Sequence, residues 1–182
     1  MRTFLRIALA LVVITLLALT YGYIWLQDYL SQPGPLKEQT TLLIEPGTSS
    51  AKIARELSDN GIIMYPELFR TLAVVNGQHH KFQAGEYAFP AGISPKAVMQ
   101  KMMDGDVVIH QVTVPEGFTS ARIIELLNDE ADLEGLLSNV PSEGTLLPET
   151  YRYVRGDSKE KILARMKESM RKTIDELWEK RQ

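Results

Sequence analysis

Residues 41–57, TLLIEPGTSSAKIAREL, and residues 111–127, QVTVPEGFTSARIIELL, share one outline, and that outline decides the fold. In each stretch a β-type run leads into Pro and Glu, then a glycine, then hydroxyl residues that open an apolar-periodic helix. Aligning Gly47 with Gly117 brings the later hydroxyl and apolar positions into register. Glycine permits the backbone turn that ends a strand, and a Ser or Thr hydroxyl caps the free N–H groups of a helix start. The repeat therefore predicts a strand-to-helix unit.

A shorter copy of this unit occupies residues 89–98, FPAGISPKAV, where Pro95 fits the first helical turn because its missing N–H costs nothing there. The order predicted for residues 40–105 is strand, helix, helix, strand, helix, with a glycine closing each helix. The last four elements are placed at about 50–60, 65–76, 83–89 and 95–104, and the closing glycines are Gly61, Gly77 and Gly105. The chain is therefore predicted to have an α+β fold.

The β-α-α-β core of residues 40–106 resembles LysM-like carbohydrate-binding modules, and that resemblance implies contact with a glycan. The alternative is that the repeated unit is only a convenient joint between a strand and a helix, since such turns with Gly and Ser are common. The pattern alone leaves both interpretations open.

The N-terminal segment predicts a membrane anchor. No charged residue occurs from Ile7 to Gln27, and a helix of this length, about 30 Å at about 1.5 Å per residue, crosses a hydrocarbon core. Because two arginines precede it and Asp28 follows it, the positive-inside rule predicts a cytoplasmic N-terminus and an ectodomain on the other side. A cleaved signal peptide is the competing interpretation, but its apolar region would be shorter and the stretch lacks a good small-x-small cleavage site.

Composition excludes several classes of protein. The net charge of −3 over 182 residues argues against a general nucleic-acid binder, for which a basic domain is typical. The absence of cysteine excludes disulfides, thiolate catalysis and Cys-ligated zinc. His79 and His80 are adjacent in a polar loop and His110 is predicted to lie alone on a strand, so no metal site is expected.

Residues 143–151, EGTLLPETY, combine turn formers, two carboxylates and the first tyrosine of a Tyr-x-Tyr pair. Such a mixture predicts a shaped loop rather than the interior of a helix or strand. The loop is the most motif-like part of the second half of the chain.

Five features in this order resemble one family: the apolar N-terminal helix, PGTSSAKIARELSDNGII (46–63), AGEYAFPAGIS (84–94), VPEGFTSARIIELL (114–127) and EGTLLPETY (143–151). The chain resembles the YceG-like proteins, the MltG-type endolytic transglycosylases of bacterial peptidoglycan, over essentially its whole length. The resemblance implies a single-pass enzyme of the cell inner membrane that cleaves MurNAc–GlcNAc bonds within nascent glycan strands. Its products end in 1,6-anhydro-MurNAc, and the cleavage limits strand length.

The same resemblance implies the partners and the domains. Implied partners are peptidoglycan glycan strands, the membrane and the penicillin-binding proteins of the cell-wall synthesis machinery, and no metal or organic cofactor is expected. The implied domains are a cytoplasmic tip (1–6), the transmembrane anchor (7–27), a linker (28–39), the LysM-like domain (40–106) and the N-terminal part of the catalytic domain (107–182).

In this family the catalytic Glu lies downstream of the segment matching EGTLLPETY, on a helix in an Ile-Glu-x-Glu-like context. No such segment occurs here, so no catalytic residue is assigned and the expected Glu is placed beyond Gln182. The resemblance makes Glu149 and Tyr151 candidates for substrate contact at the border of the groove. We expect a truncated chain that is inactive alone. A membrane-tethered peptidoglycan-binding or scaffold protein without catalysis, ending naturally at Gln182, is the alternative.

A catalytic role for the loop acids is the remaining enzymatic interpretation. Lytic cleavage needs a carboxylic acid that protonates the leaving glycosidic oxygen, with a pKa raised by a partly apolar site. Glu143 and Glu149 are the acids of the loop, and loop acids are usually solvated instead.

The C-terminal residues predict a helix from Ser158 to about Lys180, with Asp157 and Glu160 as a capping box. The simplest interpretation packs its apolar face on the catalytic domain. An exposed apolar patch and a membrane-surface helix are the alternatives.

Overall fold

A computed structural model describes residues 2–181, apart from the side chains of residues 2–5 and 8, so the predicted cytoplasmic tip lies largely outside the described side chains. The elements in chain order are α1 (Arg2–Ser31), β1 (Thr40–Ile44), α2 (Ser50–Asp59), α3 (Pro66–Val75), a short 3-10 helix (His79–Lys81), β2 (Gly85–Phe89), α4 (Pro95–Asp104), β3 (His110–Thr113), α5 (Ser120–Asp129), β4 (Thr150–Tyr153) and α6 (Lys159–Glu179). Helices and strands mix as the sequence predicts, and the α+β class is confirmed.

The chain divides into two compact units. The first unit consists of Met1–Ala84 and Ala88–Asp106, and the second of Gly85–Tyr87 and Val107–Gln182.

The repeated strand-to-helix unit is confirmed in all three places. The helices α2, α4 and α5 each begin after a Ser or Thr whose hydroxyl accepts a hydrogen bond from the backbone N–H three residues later, at 3.2–3.3 Å. These N-caps are Ser49, Ser94 and Thr119. The glycine two residues before each cap has a φ of 79°, 67° and 83°, respectively. Each cap contributes about 1 kcal/mol.

The glycines that were predicted to close the helices lie within one residue of the observed C-caps. Gly61 and Gly77 follow the C-cap residues of α2 and α3 with φ values of 68° and 63°, whereas Gly105 is itself the C-cap of α4. The helices α2 and α3 are slightly shorter than predicted, and β2 begins at Gly85 rather than near residue 83.

The start of α6 differs from the predicted capping box. Ser158 is the N-cap, and its side chain makes no capping hydrogen bond. The Asp157 carboxylate instead accepts hydrogen bonds from the Val154 backbone N–H at 3.1 Å and from Lys161 Nζ at 2.7 Å. Asp157 therefore stabilises the turn before the helix. Its carboxylate is shared between the Val154 backbone N–H and Lys161 and does not cap α6.

The strands β1 and β2 pair in a two-stranded sheet. In the first unit, α2, α3 and α4 supply most of the buried apolar side chains. Fully buried members include Ile44, Leu57, Ile62, Phe69, Val98 and Met102. The 23-residue segment Leu9–Ser31 of α1 is long and apolar enough to cross a membrane, and none of its most apolar window is buried by the rest of the structure. The segment is therefore a candidate membrane span. A signal sequence near the N-terminus meets the same criteria of length and apolar composition.

In the second unit, β3 pairs antiparallel with β4, so that Val112 lies opposite Tyr151 and His110 opposite Tyr153. Strand alternation buries Val112, Tyr151 and Tyr153 against α5 and α6. The core consists of Val112, Val114, Ile123, Ile124, Leu127, Leu133, Leu137, Leu146, Tyr151, Tyr153, Ile162, Leu163 and Met166.

Candidate functional site

The loop before β4 holds Glu143 against the start of α5. The backbone N–H of Ser120 donates to both carboxylate oxygens of Glu143, at 3.0 and 3.1 Å, and the Ser120 hydroxyl lies 3.3 Å from one of them. A carboxylate at this end also complements the helix dipole. Glu143 is thus a helix cap from a distant segment, and this use of both oxygens favours the structural over the catalytic interpretation of that acid.

Glu149 and Tyr151, the candidates for substrate contact, lie in different environments. The Glu149 side chain is exposed, while its carbonyl oxygen accepts from the Val114 N–H at 3.0 Å. Tyr151 is 5% exposed, and its hydroxyl donates to the Leu147 carbonyl at 2.8 Å. Burial raises the pKa of Tyr151, and the nearby Glu149 charge adds to the shift. Substrate contact by these two residues stays a prediction.

Other residues of the EGTLLPETY loop border an open groove beside α6. Gly144 and Thr145 line this groove of about 600 Å³, together with Val140 of the preceding segment and Lys167 and Arg171 of α6. A neighbouring cavity of about 340 Å³ shares Val140, Pro141 and Lys167 with it. The loop therefore borders a groove with apolar walls and cationic side chains on one side.

A charged cluster that the sequence analysis missed lies elsewhere in the second unit, around the first residue of β3. His110 Nε2 is 2.6 Å from Glu86 Oε2, and His110 Nδ1 is 3.7 Å from Asp132 Oδ2. Arg155 pairs with Asp132, its Nε lying 2.9 Å from Oδ1, and its Nη1 lies 3.6 Å from Glu86. The sequence-based prediction that His110 lies alone is wrong.

Tyr153 extends this cluster into the core. Its ring stacks on His110 at a centroid distance of 5.7 Å, and its hydroxyl donates to Glu130 at 2.9 Å. Burial is the main cause that raises the pKa of Tyr153 to about 12, and the hydrogen bond to Glu130 and the charges of Glu130 and Asp132 add to it.

One signal in the sequence pointed to this cluster. Glu86 occupies a strand of otherwise small or apolar residues and is only 9% exposed, and a charge in such a position requires a partner. The partners of Glu86 lie 24 to 69 residues away in sequence, so no local sequence pattern could predict which residues they are.

The cluster pairs three carboxylate and imidazole side chains with the Arg155 guanidinium, and it is not arranged as a metal centre. Within the described range 2–181, no group of three or more His, Asp or Glu side chains is arranged to hold a metal ion. His79 and His80, in the short 3-10 helix, have ring centroids 3.7 Å apart with the rings tilted by 42°, and His79 Nδ1 lies 3.3 Å from the Ala73 carbonyl oxygen.

The fold and the site define an α+β protein with an apolar N-terminal helix. The same strand-to-helix unit occurs three times in it, and a loop with two glutamates lies beside a groove. A sequence model of the YceG-like family matches residues 42–182, and the chain belongs to that family. The resemblance to YceG-like proteins is thereby confirmed.

Among solved structures, the chain is similar to a yceG-like protein from Listeria monocytogenes, whose crystal structure was determined at 2.6 Å. The identity is 22% and the TM-score 0.43, with 79% of this chain and 57% of that chain covered. The chain thus spans 57% of the length of that relative. No curated protein matched the chain.

Proposed function

We propose that the protein is a membrane-anchored endolytic peptidoglycan transglycosylase of the MltG type. It cleaves MurNAc–GlcNAc bonds within nascent glycan strands, leaves 1,6-anhydro-MurNAc ends and so limits strand length. The observation that carries the proposal is membership of the YceG-like family over residues 42–182. Within the proposal, the chain contributes the anchor, a LysM-like glycan-binding module at 40–106 and catalytic-domain sequence from residue 107.

Localisation and partners follow from the same proposal. The candidate span Leu9–Ser31 supports a single-pass protein of the cell inner membrane, and the arginines before it support a cytoplasmic N-terminus. The ectodomain then faces the periplasmic or extracellular side, where the glycan strands and the penicillin-binding proteins are its partners. The order β1–α2–α3–β2 supports the LysM-like assignment of the module.

The groove beside α6 supports glycan contact in the second unit. Gly144 and Thr145 of the family-typical loop line it, and Lys167 and Arg171 offer N–H donors to sugar hydroxyls and to the carboxylates of the peptide stems. The acid that protonates the leaving oxygen is not assigned to this loop, because Glu143 caps α5 and Glu149 is exposed to water.

Digestion of purified glycan strands tests the proposal. A membrane-reconstituted protein that includes the family's Ile-Glu-x-Glu segment is expected to generate new 1,6-anhydro-MurNAc ends in the middle of strands, detected by mass spectrometry. The 182 residues alone are expected to generate none. Absence of anhydro ends from the longer protein would contradict the transglycosylase proposal.

Binding is measured separately, because the alternative function is a membrane-tethered peptidoglycan-binding or scaffold protein without catalysis. The bond of Glu143 to Ser120 favours this alternative in that it engages one of the two loop acids in a structural role. Sedimentation of the 182-residue chain with insoluble peptidoglycan tests this, with Lys167→Gln and Arg171→Gln as groove variants and Glu149→Gln as the variant for the predicted contact. Binding without cleavage by the longer protein would favour the scaffold.

A further inference from the structure

The segment between α1 and the first strand is held firmly to the first unit. The Gly34 N–H donates to the Ile93 carbonyl at 3.1 Å, and the Gly92 N–H donates to the Leu36 carbonyl at 2.8 Å. Leu36 is only 9% exposed, and a Cβ at position 34 would collide with the Ile93 carbonyl oxygen. The residues after α1 therefore lie against the module instead of forming a free tether.

An aromatic cluster makes a second contact, from α1 itself. Trp25 stacks on Tyr29 with ring centroids 5.9 Å apart and an interplanar angle of 11°. Tyr65, at the N-terminus of α3, approaches Tyr29 at 5.2 Å and Trp25 at 6.4 Å. The Tyr65 backbone N–H also donates to the Tyr29 hydroxyl at 3.4 Å. The last two turns of α1 and the start of α3 are thus in direct contact.

The surface at this contact is amphipathic. Met64 is 56% exposed and Tyr65 44%, next to Trp25 at 47%. These three side chains line a cavity of about 260 Å³ together with Asp28 and Gln32. Apolar and aromatic surface therefore borders polar groups within a few ångströms, which is the composition that favours a membrane–water interface.

The position of α1 sets the level of this surface. If the charge-free segment ending at Gln27 crosses the hydrocarbon core, Trp25 lies about 3 Å inside its end and Tyr29 about 3 Å beyond it, at about 1.5 Å per residue. Tyr65 is packed on both rings, so it lies at the same depth. Met64 precedes it directly and lines the same cavity.

We propose that Met64 and Tyr65 insert into the interfacial layer of the bilayer and hold the first unit against the membrane surface. The proposal rests on the proposed membrane anchor, and it adds a lipid-contacting surface on the module. The occupant of the surface is the phospholipid bilayer itself, because the surface continues the candidate span without a break.

The absence of cysteine allows a direct test in the full chain reconstituted into phosphatidylcholine–phosphatidylglycerol vesicles. An environment-sensitive dye such as NBD is attached in turn to Met64→Cys and to Leu43→Cys. Leu43 is the matched control, an apolar residue of β1 that is 40% exposed and does not line the cavity. We expect the dye at position 64 to shift to the blue and to be quenched by lipids spin-labelled near the headgroup. The dye at position 43 is expected to be quenched by aqueous iodide instead.

A parallel measurement separates this inference from the anchor. In a Trp178→Phe background, Trp25 is the one tryptophan left, and quenching of its fluorescence by brominated lipid reports insertion of α1. Quenched Trp25 with a water-exposed dye at position 64 overturns the inference and leaves the anchor standing. An unquenched Trp25 and failure to float with vesicles overturn both.

A variant gives an independent readout. Tyr29→Ala removes the nearer of the two α1 rings that pack on Tyr65, and the dye at position 64 is then expected to lose most of its blue shift while Trp25 stays quenched. A blue-shifted dye signal that is unchanged in Tyr29→Ala overturns the part of the inference that assigns the depth of Met64 to the contact with α1.

Discussion

The helices α2 and α5 begin with the same strand-to-helix unit and have different surroundings. Both have a positive-φ glycine and a hydroxyl N-cap, and both bury their apolar face. At the next position, however, Ser50 is only partly buried, whereas Ser120 is 2% exposed and bonded to Glu143. The local unit therefore determines how the helix starts, and a distant loop determines how firmly that start is held.

The largest effect should come from removing the contact that only α5 has. Glu143→Ala leaves the buried N–H of Ser120 without its charged acceptor, while the Ser120 hydroxyl keeps the Ser142 carbonyl, so we expect the free energy of unfolding to fall by about 2 kcal/mol. Urea denaturation measures it. Glu149→Ala is the matched control from the same loop, and its exposed side chain predicts a change within about 0.5 kcal/mol. Equal effects in the two variants would remove the distinction between the helix starts.

The glycines should behave alike in the two copies. Gly47 and Gly117 have φ values of 79° and 83°, and nothing lies within 4 Å of a Cβ built at either position. Alanine at each site therefore pays only for the left-handed backbone, about 1–2 kcal/mol. A difference well above about 0.5 kcal/mol between Gly47→Ala and Gly117→Ala in thermal or urea unfolding would show that the surroundings matter here too.

The N-caps are expected to show a smaller and again similar loss. Ser49→Ala and Thr119→Ala each remove one hydrogen bond to a helix N–H, at 3.3 and 3.2 Å, so each should cost about 1 kcal/mol. Ser49→Asp and Thr119→Asp keep the acceptor and should restore most of it. If Thr119→Ala costs nothing, Glu143 alone is sufficient to cap α5.

At neutral pH the smallest effect concerns Tyr153, which has no counterpart in the first copy. Burial raises its pKa from 10.0 to about 12, and Glu130 and Asp132 add to the shift. Because the folded state favours the neutral phenol, its contribution to stability is fully present below pH 10 and is lost as pH rises towards 12. Glu130→Gln should lower the pKa of Tyr153, measured by phenolate absorbance near 295 nm. An unchanged midpoint would contradict the role of Glu130.

Local signals account for what the sequence predicted well. Glycine, hydroxyl cap and apolar spacing act within about ten residues. They placed α2 and α4 nearly to the residue and indicated the strand-to-helix start of α5. The failures involve partners far apart in sequence. Nothing near His110 indicates that Glu86 and Asp132 lie beside it, and nothing near Glu143 indicates a bond to Ser120. The predicted capping box at α6 is absent because Ser158, not Asp157, is the N-cap, and the Asp157 carboxylate bonds to the Val154 N–H and to Lys161 instead.

The hydrogen bonds of Gly34 and Leu36 also have a mechanical consequence. A flexible linker after the helix would let the following domain reorient freely, so rotation of the helix about its axis would not be passed on to that domain. If α1 spans a bilayer as proposed, these bonds make a roll or tilt of the helix turn the rest of the first unit with it. The proposed anchor would then also set the orientation of that unit relative to the membrane plane.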